Sequence, residues 1–103
     1  MNENIVTDSA ILTSDTLVKG SPGRVRSITI AYKGVAAGDF VNLRDGLTVA
    51  GSVKAMFVFP GVTGTTVNGN IKKEWVAGKK FATGIFFNVG AGGGSVWAEV
   101  EYE

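Results

Sequence analysis

The chain has no cysteine and no histidine among its 103 residues. Without cysteine there is no disulfide framework, no thiolate nucleophile and no sulfur ligand for a metal. Without histidine the side chain that most often moves protons near neutral pH is missing, and with it Ser–His catalysis and the usual zinc sites. Charge is sparse as well, at 18% of the chain, with 10 bases against 9 acids and a net charge of +1. That balance provides no basic excess of the kind that holds nucleic acid or anionic lipid. Nowhere do 18 or so apolar residues run together, so no membrane-spanning helix is expected. The opening MNENIVTDSAIL has neither a basic start nor an apolar stretch. It does not read as a secretory signal, and manufacture in a cytoplasm is expected.

Glycine is abundant, at 15 residues against 2 prolines, and it separates short runs of β-branched and aromatic residues. Many short strands joined by tight turns look this way. No window of about ten residues carries helical periodicity without an interrupting glycine. The expected fold is all-β, an antiparallel β-sandwich of roughly six or seven strands in one domain.

Strands follow from alternation. RVRSITIAYK (Arg24 to Lys33) places Ile28, Ile30 and Tyr32 on one face and Ser27, Thr29 and Ala31 on the other. Gly34 to Asp39 is its turn; FVNLRDG follows, with Val41 and Leu43 inward and Asn42 and Arg44 outward. SVKAMFVFPG (Ser52 to Gly61) is apolar on both faces, which predicts burial on both, by a second sheet or by a partner subunit. Asn68-Gly69 reads as a turn, IKKEWV as a strand, AGKKFATG as a loop, and IFFNV and SVWAEVEY as the last two strands. Residues 1–20 differ: they are polar and glycine-poor with scattered apolar residues, and read as an extended N-terminal arm, followed by the sandwich domain at 21–103. Acids without bases mark both ends (Glu3, Asp8 and Asp15; Glu99, Glu101 and Glu103), while every base lies between. This is either ordinary surface variation or an acidic arm and edge that meet a basic surface on a neighbouring copy.

The glycine-rich stretch NVGAGGGSVWAEVEYE raises the question of a phosphate loop. A dinucleotide fingerprint needs a third glycine where Ser95 stands, and a helix after it. Here the following residues alternate with period two, so the glycines join two strands. Gly78-Lys79-Lys80 lacks both the upstream glycine and the hydroxyl of a Walker loop. Lys72-Lys73 and Lys79-Lys80 flank Trp75, a pattern met in single-strand nucleic-acid binders but more simply a solvated hairpin. Asp39, Asp45 and Asn42 do not have the spacing of a calcium loop, and nothing brings Glu74 and Glu99 together as a catalytic pair. No catalytic residue, metal site or cofactor is expected. Trp97 shares its face with Glu99 and Glu101, and a large aromatic on a polar face marks either a contact surface or a second core layer. The candidate protein-interface residues are Ile11, Leu12, Leu17, Phe57, Phe59, Trp75, Phe86 and Trp97.

RVRSITIAYKGVAAGDFVNLRDG, FVFPG and KKFATGIFFNVGAGGGSVWAEVEYE together resemble a group of short all-β proteins encoded in tailed-phage genomes near the virion structural genes. Gly38-Asp39 through Asp45-Gly46, Phe81 to Ile85 and the terminal strand to Tyr102 carry the likeness, which covers about residues 22–103 and leaves the arm out. The resemblance implies a jelly-roll-like sandwich that decorates a phage head, a capsid decoration or cement protein. Such a protein binds the outer surface of the assembled shell, as a trimer over three-fold junctions, and cements neighbouring capsomers. Its implied partners are the major capsid protein and further copies of itself, not nucleic acid or membrane, and its implied location is the exterior of the virion head. Some members serve in tails, baseplates or fibres, and that role stays open. So does a carbohydrate-binding module taking a glycan, because small β-sandwiches with exposed tryptophans bind sugars. Deleting residues 1–18 is expected to leave a folded domain that binds capsids more weakly, measured as occupancy on purified heads.

Overall fold

The computed structural model of the chain describes residues 6–103. Among them lie eight strands: β1 (Thr7–Asp8), β2 (Thr16–Lys19), β3 (Gly23–Ala36), β4 (Phe40–Asp45), β5 (Ser52–Val58), β6 (Thr66–Phe81), β7 (Ile85–Gly90) and β8 (Ser95–Tyr102). They form two four-stranded antiparallel sheets, in the orders β1-β8-β3-β6 and β2-β7-β4-β5. Pairing runs first with last: β1 with β8, β2 with β7, β3 with β6 and β4 with β5. One long ribbon of paired strands is thus folded back across two layers. The expected antiparallel sandwich is what the chain forms.

The long strand β3 shows how the sequence makes both layers fit. Val25, Ile28, Ile30, Tyr32 and Val35 all face the core. Strict alternation forbids this, because Val25 and Ile28, and again Tyr32 and Val35, are three residues apart. Bulges resolve the conflict. The register shifts between Val25 and Ser27 against both neighbouring strands, and between Tyr32 and Val35 against β6, where Gly34 takes φ 66°. Each extra residue resets the phase and turns the next apolar side chain inward.

β6 differs from the expectation of a turn, a strand and a loop: residues 66–81 run as one strand with a bulge. Asn68-Gly69 is not a turn. Asn68 Oδ1 accepts the Gly34 N–H at 2.8 Å, and a Cβ on Gly69 would stand 2.7 Å from the Tyr32 hydroxyl oxygen. That glycine makes room for an aromatic ring on the adjacent strand and does not bend the chain. β5 also departs from expectation. Ala55 and Phe57 are half-buried and Phe59 fully buried, but Lys54, Met56 and Val58 on the other face are exposed. The opposing sheet covers one side of β5 only, and its other side belongs to the outward face of the two-layer sandwich.

The stretch read as an arm lies along the sandwich and supplies one edge strand to each sheet, β1 and β2; its first five residues fall outside the described ones. Between these strands Leu12 bridges Ala98 and is buried in the common core. Removing residues 1–18 therefore strips apolar contacts from the core as well as any docking segment.

The glycine-rich turn between β7 and β8 is held by a carboxylate: Asp39 Oδ2 accepts the Gly92 N–H at 3.2 Å. The Gly92 amide thus points at an acid of the same chain, and the turn serves as a strand connection. Gly94 is the constrained member, with φ 74° and the Lys33 carbonyl oxygen 2.6 Å from where its Cβ would lie. Gly92 and Gly93 face open space. Gly94→Ala is expected to destabilise by about 1–3 kcal/mol, while Gly93→Ala stays within about 0.5 kcal/mol, read by urea unfolding. Leu12→Ala is expected to cost about 2–5 kcal/mol in the same assay, as a core truncation does.

Candidate functional site

Each sheet has one face turned away from the core, and the two differ in chemistry. On the sheet β2-β7-β4-β5 the outward positions are fixed by register. Phe40 lies opposite Val58 and Gly90, Asn42 opposite Met56 and Asn88, Arg44 opposite Val53 and Phe86, and Phe86 opposite Leu17. Leu17, Val53, Met56 and Val58 are exposed, and Phe40 and Phe86 half-buried. An apolar rim therefore surrounds a polar centre.

That centre is a directed chain of hydrogen bonds. Asp15 accepts from Asn88 Nδ2 at 3.1 and 3.2 Å and from the Val89 N–H at 2.8 Å. Asn88 Oδ1 accepts from Arg44 Nε at 3.2 Å and from Asn42 Nδ2 at 3.3 Å, and Arg44 Nη1 donates to the Gly51 carbonyl at 3.0 Å. An ionised carboxylate only accepts and a guanidinium only donates, so both ends fix the orientation of the Asn88 amide. Asn42 must then present its NH2 group, which leaves its Oδ1 without a partner among the described residues, in a residue only 1% exposed. Asn42 points outward as expected, yet it is buried on that face, opposite Met56 and Asn88. The network crosses the sheet from the segment before β2 to the loop after β4, and braces this face as one surface.

The outward face of β1-β8-β3-β6 is polar. Rows across it read Lys72–Thr29–Glu99, Asn70–Ala31–Trp97 and Glu74–Ser27–Glu101. Ser27 donates its hydroxyl to Glu101, and Lys72 pairs with Glu74 at 3.2 Å. Glu74 thus faces Glu101 across β3, one row away from Glu99. Trp97 is 43% exposed and lies with Ile11, Thr29, Ala31 and Glu99 along an open groove of about 290 Å³.

The eight candidate interface residues divide by these surroundings. Ile11, Leu17 and Trp97 are exposed, and Phe86 is half-buried on the outward face of its sheet. Leu12 and Phe59 are buried in the chain's own core, where Phe59 stacks on Tyr32 with ring centroids 4.6 Å apart. Phe57 and Trp75 pack against that core and against each other, edge to face at 6.3 Å. These four are occupied inside the molecule and do not present a surface as a whole. Met56, Val58 and Val53 were not among the candidates, yet they are the exposed apolar residues of the edge strand β5. Their signal was present in the doubly apolar pattern of that segment.

No three acids group as metal ligands among the described residues. Asp39 and Asp45 are engaged with backbone. Asp45 accepts the N–H groups of Thr83 at 2.8 Å, Ala82 at 3.0 Å and Gly84 at 3.4 Å, and so clamps the β6–β7 turn. The Thr83 N–H is the largest cause holding its carboxyl below the ordinary 3.8; partial desolvation opposes it, and the Ala82 and Gly84 N–H groups and the Lys54 charge add to it. Compared with known protein families, curated proteins and solved structures, the chain matches none.

Because the folded pKa of Asp45 is depressed, its contribution is fully present above pH 3.8 and is lost as pH falls through the lowered value. Asp45→Asn is expected to destabilise by about 1 kcal/mol near pH 6, a value discounted for exposure. That difference from wild type is expected to vanish in strong acid, as followed by urea unfolding between pH 2 and 7.

Proposed function

We propose that the chain is a structural adhesion protein of a phage particle, one that decorates the outside of the assembled head and cements neighbouring capsomers. The observation that carries this reading is the braced outward face of β2-β7-β4-β5, where Leu17, Val53, Met56 and Val58 stand exposed around a polar centre. A rigid apolar sheet face with a polar interior is suited to covering a partner surface. The antiparallel sandwich and the resemblance of residues 22–103 to tailed-phage virion proteins support the same assignment. In this reading the major capsid protein is the partner and the protein acts as a trimer on the head exterior.

Binding only the assembled shell favours that shell by mass action, and linked copies multiply the effect through local concentration. A cement protein needs no reactive group; it needs contact area across a seam. A role in the tail, baseplate or fibre uses the same surface on another partner. The exposed Trp97 beside its groove favours a second reading, a sugar-binding module, since a sugar ring stacks on such an indole.

Electron cryo-microscopy of intact particles tests the proposal. Extra density of this size on the outer head surface is the expected result. Density on the tail would move the protein there, and its absence from mature particles would overturn the virion reading. On heads, Met56→Glu with Val58→Glu is expected to lower occupancy at least tenfold with the fold retained. A glycan array that lights up for wild type and goes dark for Trp97→Ala would favour the sugar instead.

A further inference from the structure

The β1-β8-β3-β6 sheet carries a feature that covering a shell does not use. Between Val25 and Ser27, β3 has a single residue, Arg26; opposite it β6 has four, Trp75 to Gly78, because Val25 pairs with Lys79 and Ser27 with Glu74. The extra residues push Val76 into solvent, 93% exposed. This bulge is anchored. Trp75 packs on Phe57, Arg24 Nη1 donates to the Ala77 carbonyl at 3.0 Å, and Gly78 takes φ 77° against the Arg24 side chain. A fixed aliphatic side chain held out in water is a preformed knob.

Charge flanks the knob on both sides. Lys72 and Lys73 precede it on β6, and Lys79 and Lys80 follow; the one acid, Glu74, is paired with Lys72. The opposite edge of the sheet has the reverse sign. β1 and β8 carry Asp8, Glu99 and Glu101 and no base. Beside Glu99 runs the apolar groove of Ile11, Ala31 and Trp97. The β6 edge thus offers an aliphatic knob with lysines before and after it along the strand and Glu74 and Glu101 in the hollow beside it, and the face between β3 and β8 offers an apolar groove beside Glu99.

We infer that a second copy of this chain docks there: the Val76 bulge of one copy enters the Ile11–Trp97 groove of the next, with the β6 lysines facing Asp8 and Glu99. Val76 is on the edge strand β6 and the groove lies on the outward face between β3 and β8. As two different patches they pair either twice in a two-fold dimer or once at each step of a series of copies. Each copy gives one knob and receives one, and in a series successive contacts close a ring or extend a chain. Strand addition is not the mode, because the lysines and the bulge blunt β6 as a pairing edge. The contact relies on exposed charges and weakens as salt screens them over about 8 Å at physiological ionic strength. It is a property of the protein in solution and stands or falls apart from the virion assignment.

Sedimentation velocity of the full chain over a concentration series, at low and high salt, tests it. Wild type is expected to associate reversibly, more tightly at low salt. Val76→Asp is expected to weaken association at least tenfold while leaving the unfolding midpoint unchanged, since Val76 is almost wholly in solvent. Reversing the basic edge (Lys73→Glu with Lys80→Glu) or the acidic edge (Asp8→Lys with Glu99→Lys) is expected to give monomers. Combining both reversals in one chain is expected to restore association, an outcome that a merely structural role for these residues does not produce. A wild type that stays monomeric at low salt, or association indifferent to Val76→Asp, would overturn the inference. So would failure of the combined reversal to restore it. Binding of anionic vesicles or oligonucleotide that is lost only with the lysine reversal would assign the knob to a different, anionic partner and overturn it as well.

Discussion

Everything in this molecule depends on the period of two along a β-strand. β3 sits between β8 and β6 and lends its inward residues to the whole core. Five of those residues must face one way, and plain alternation would send some of them into solvent. The shift at Arg26 and the one at Gly34 keep them together. The first shift is also where β6 loops out by four residues, so one device closes the core and raises a projection on the surface. Packing and the candidate contact surface are two results of a single register decision.

The two outward faces then take on different characters. On one sheet, exposed apolar residues ring a hydrogen-bonded centre whose direction is dictated at both ends, by Asp15 and by Arg44. The cost, among the described residues, is an orphaned acceptor, Asn42 Oδ1. Such an atom loses about 1–3 kcal/mol relative to a satisfied one. The same chain of bonds ties the segment before β2 to β7 and β4 through Asp15, which gives that segment a structural role. On the other sheet the residues are mostly polar, basic along β6 and acidic along β8, with Trp97 and Val76 as exposed apolar exceptions. Adhesion fits the first face and like-to-like docking fits the second.

Much of the β3 and β8 architecture was legible in the residues. Ile28, Ile30 and Tyr32, and Val96, Ala98 and Val100, alternate cleanly and are buried as alternation requires. The glycines before Ser95 read as a strand connection because period-two residues follow them, and Asp39 now accounts for how that turn is held. Where local signals misled, long-range packing was the cause. Gly69 has the composition of a turn, but its lack of a side chain serves the ring of Tyr32 on a neighbouring strand. Leu12 is apolar in a segment that looks peripheral, and only the closing of the two layers draws it inward.

By itself the order of residues determined the class: strands without helices, no thiol or imidazole chemistry, a turn at the glycines, and an uneven spread of charge along the chain. Those properties are local, since each depends on neighbours within a few positions. The three-dimensional arrangement decided which apolar strand lies at an edge, that Asn42 is enclosed, and that the lysines of β6 and the acids of β8 lie on opposite sides of β3. These depend on which strands become neighbours. Pairing β3 with both β6 and β8 joins residues more than 60 positions apart in some cases (Thr29 with Glu99, for example), and no short window of sequence contains that information.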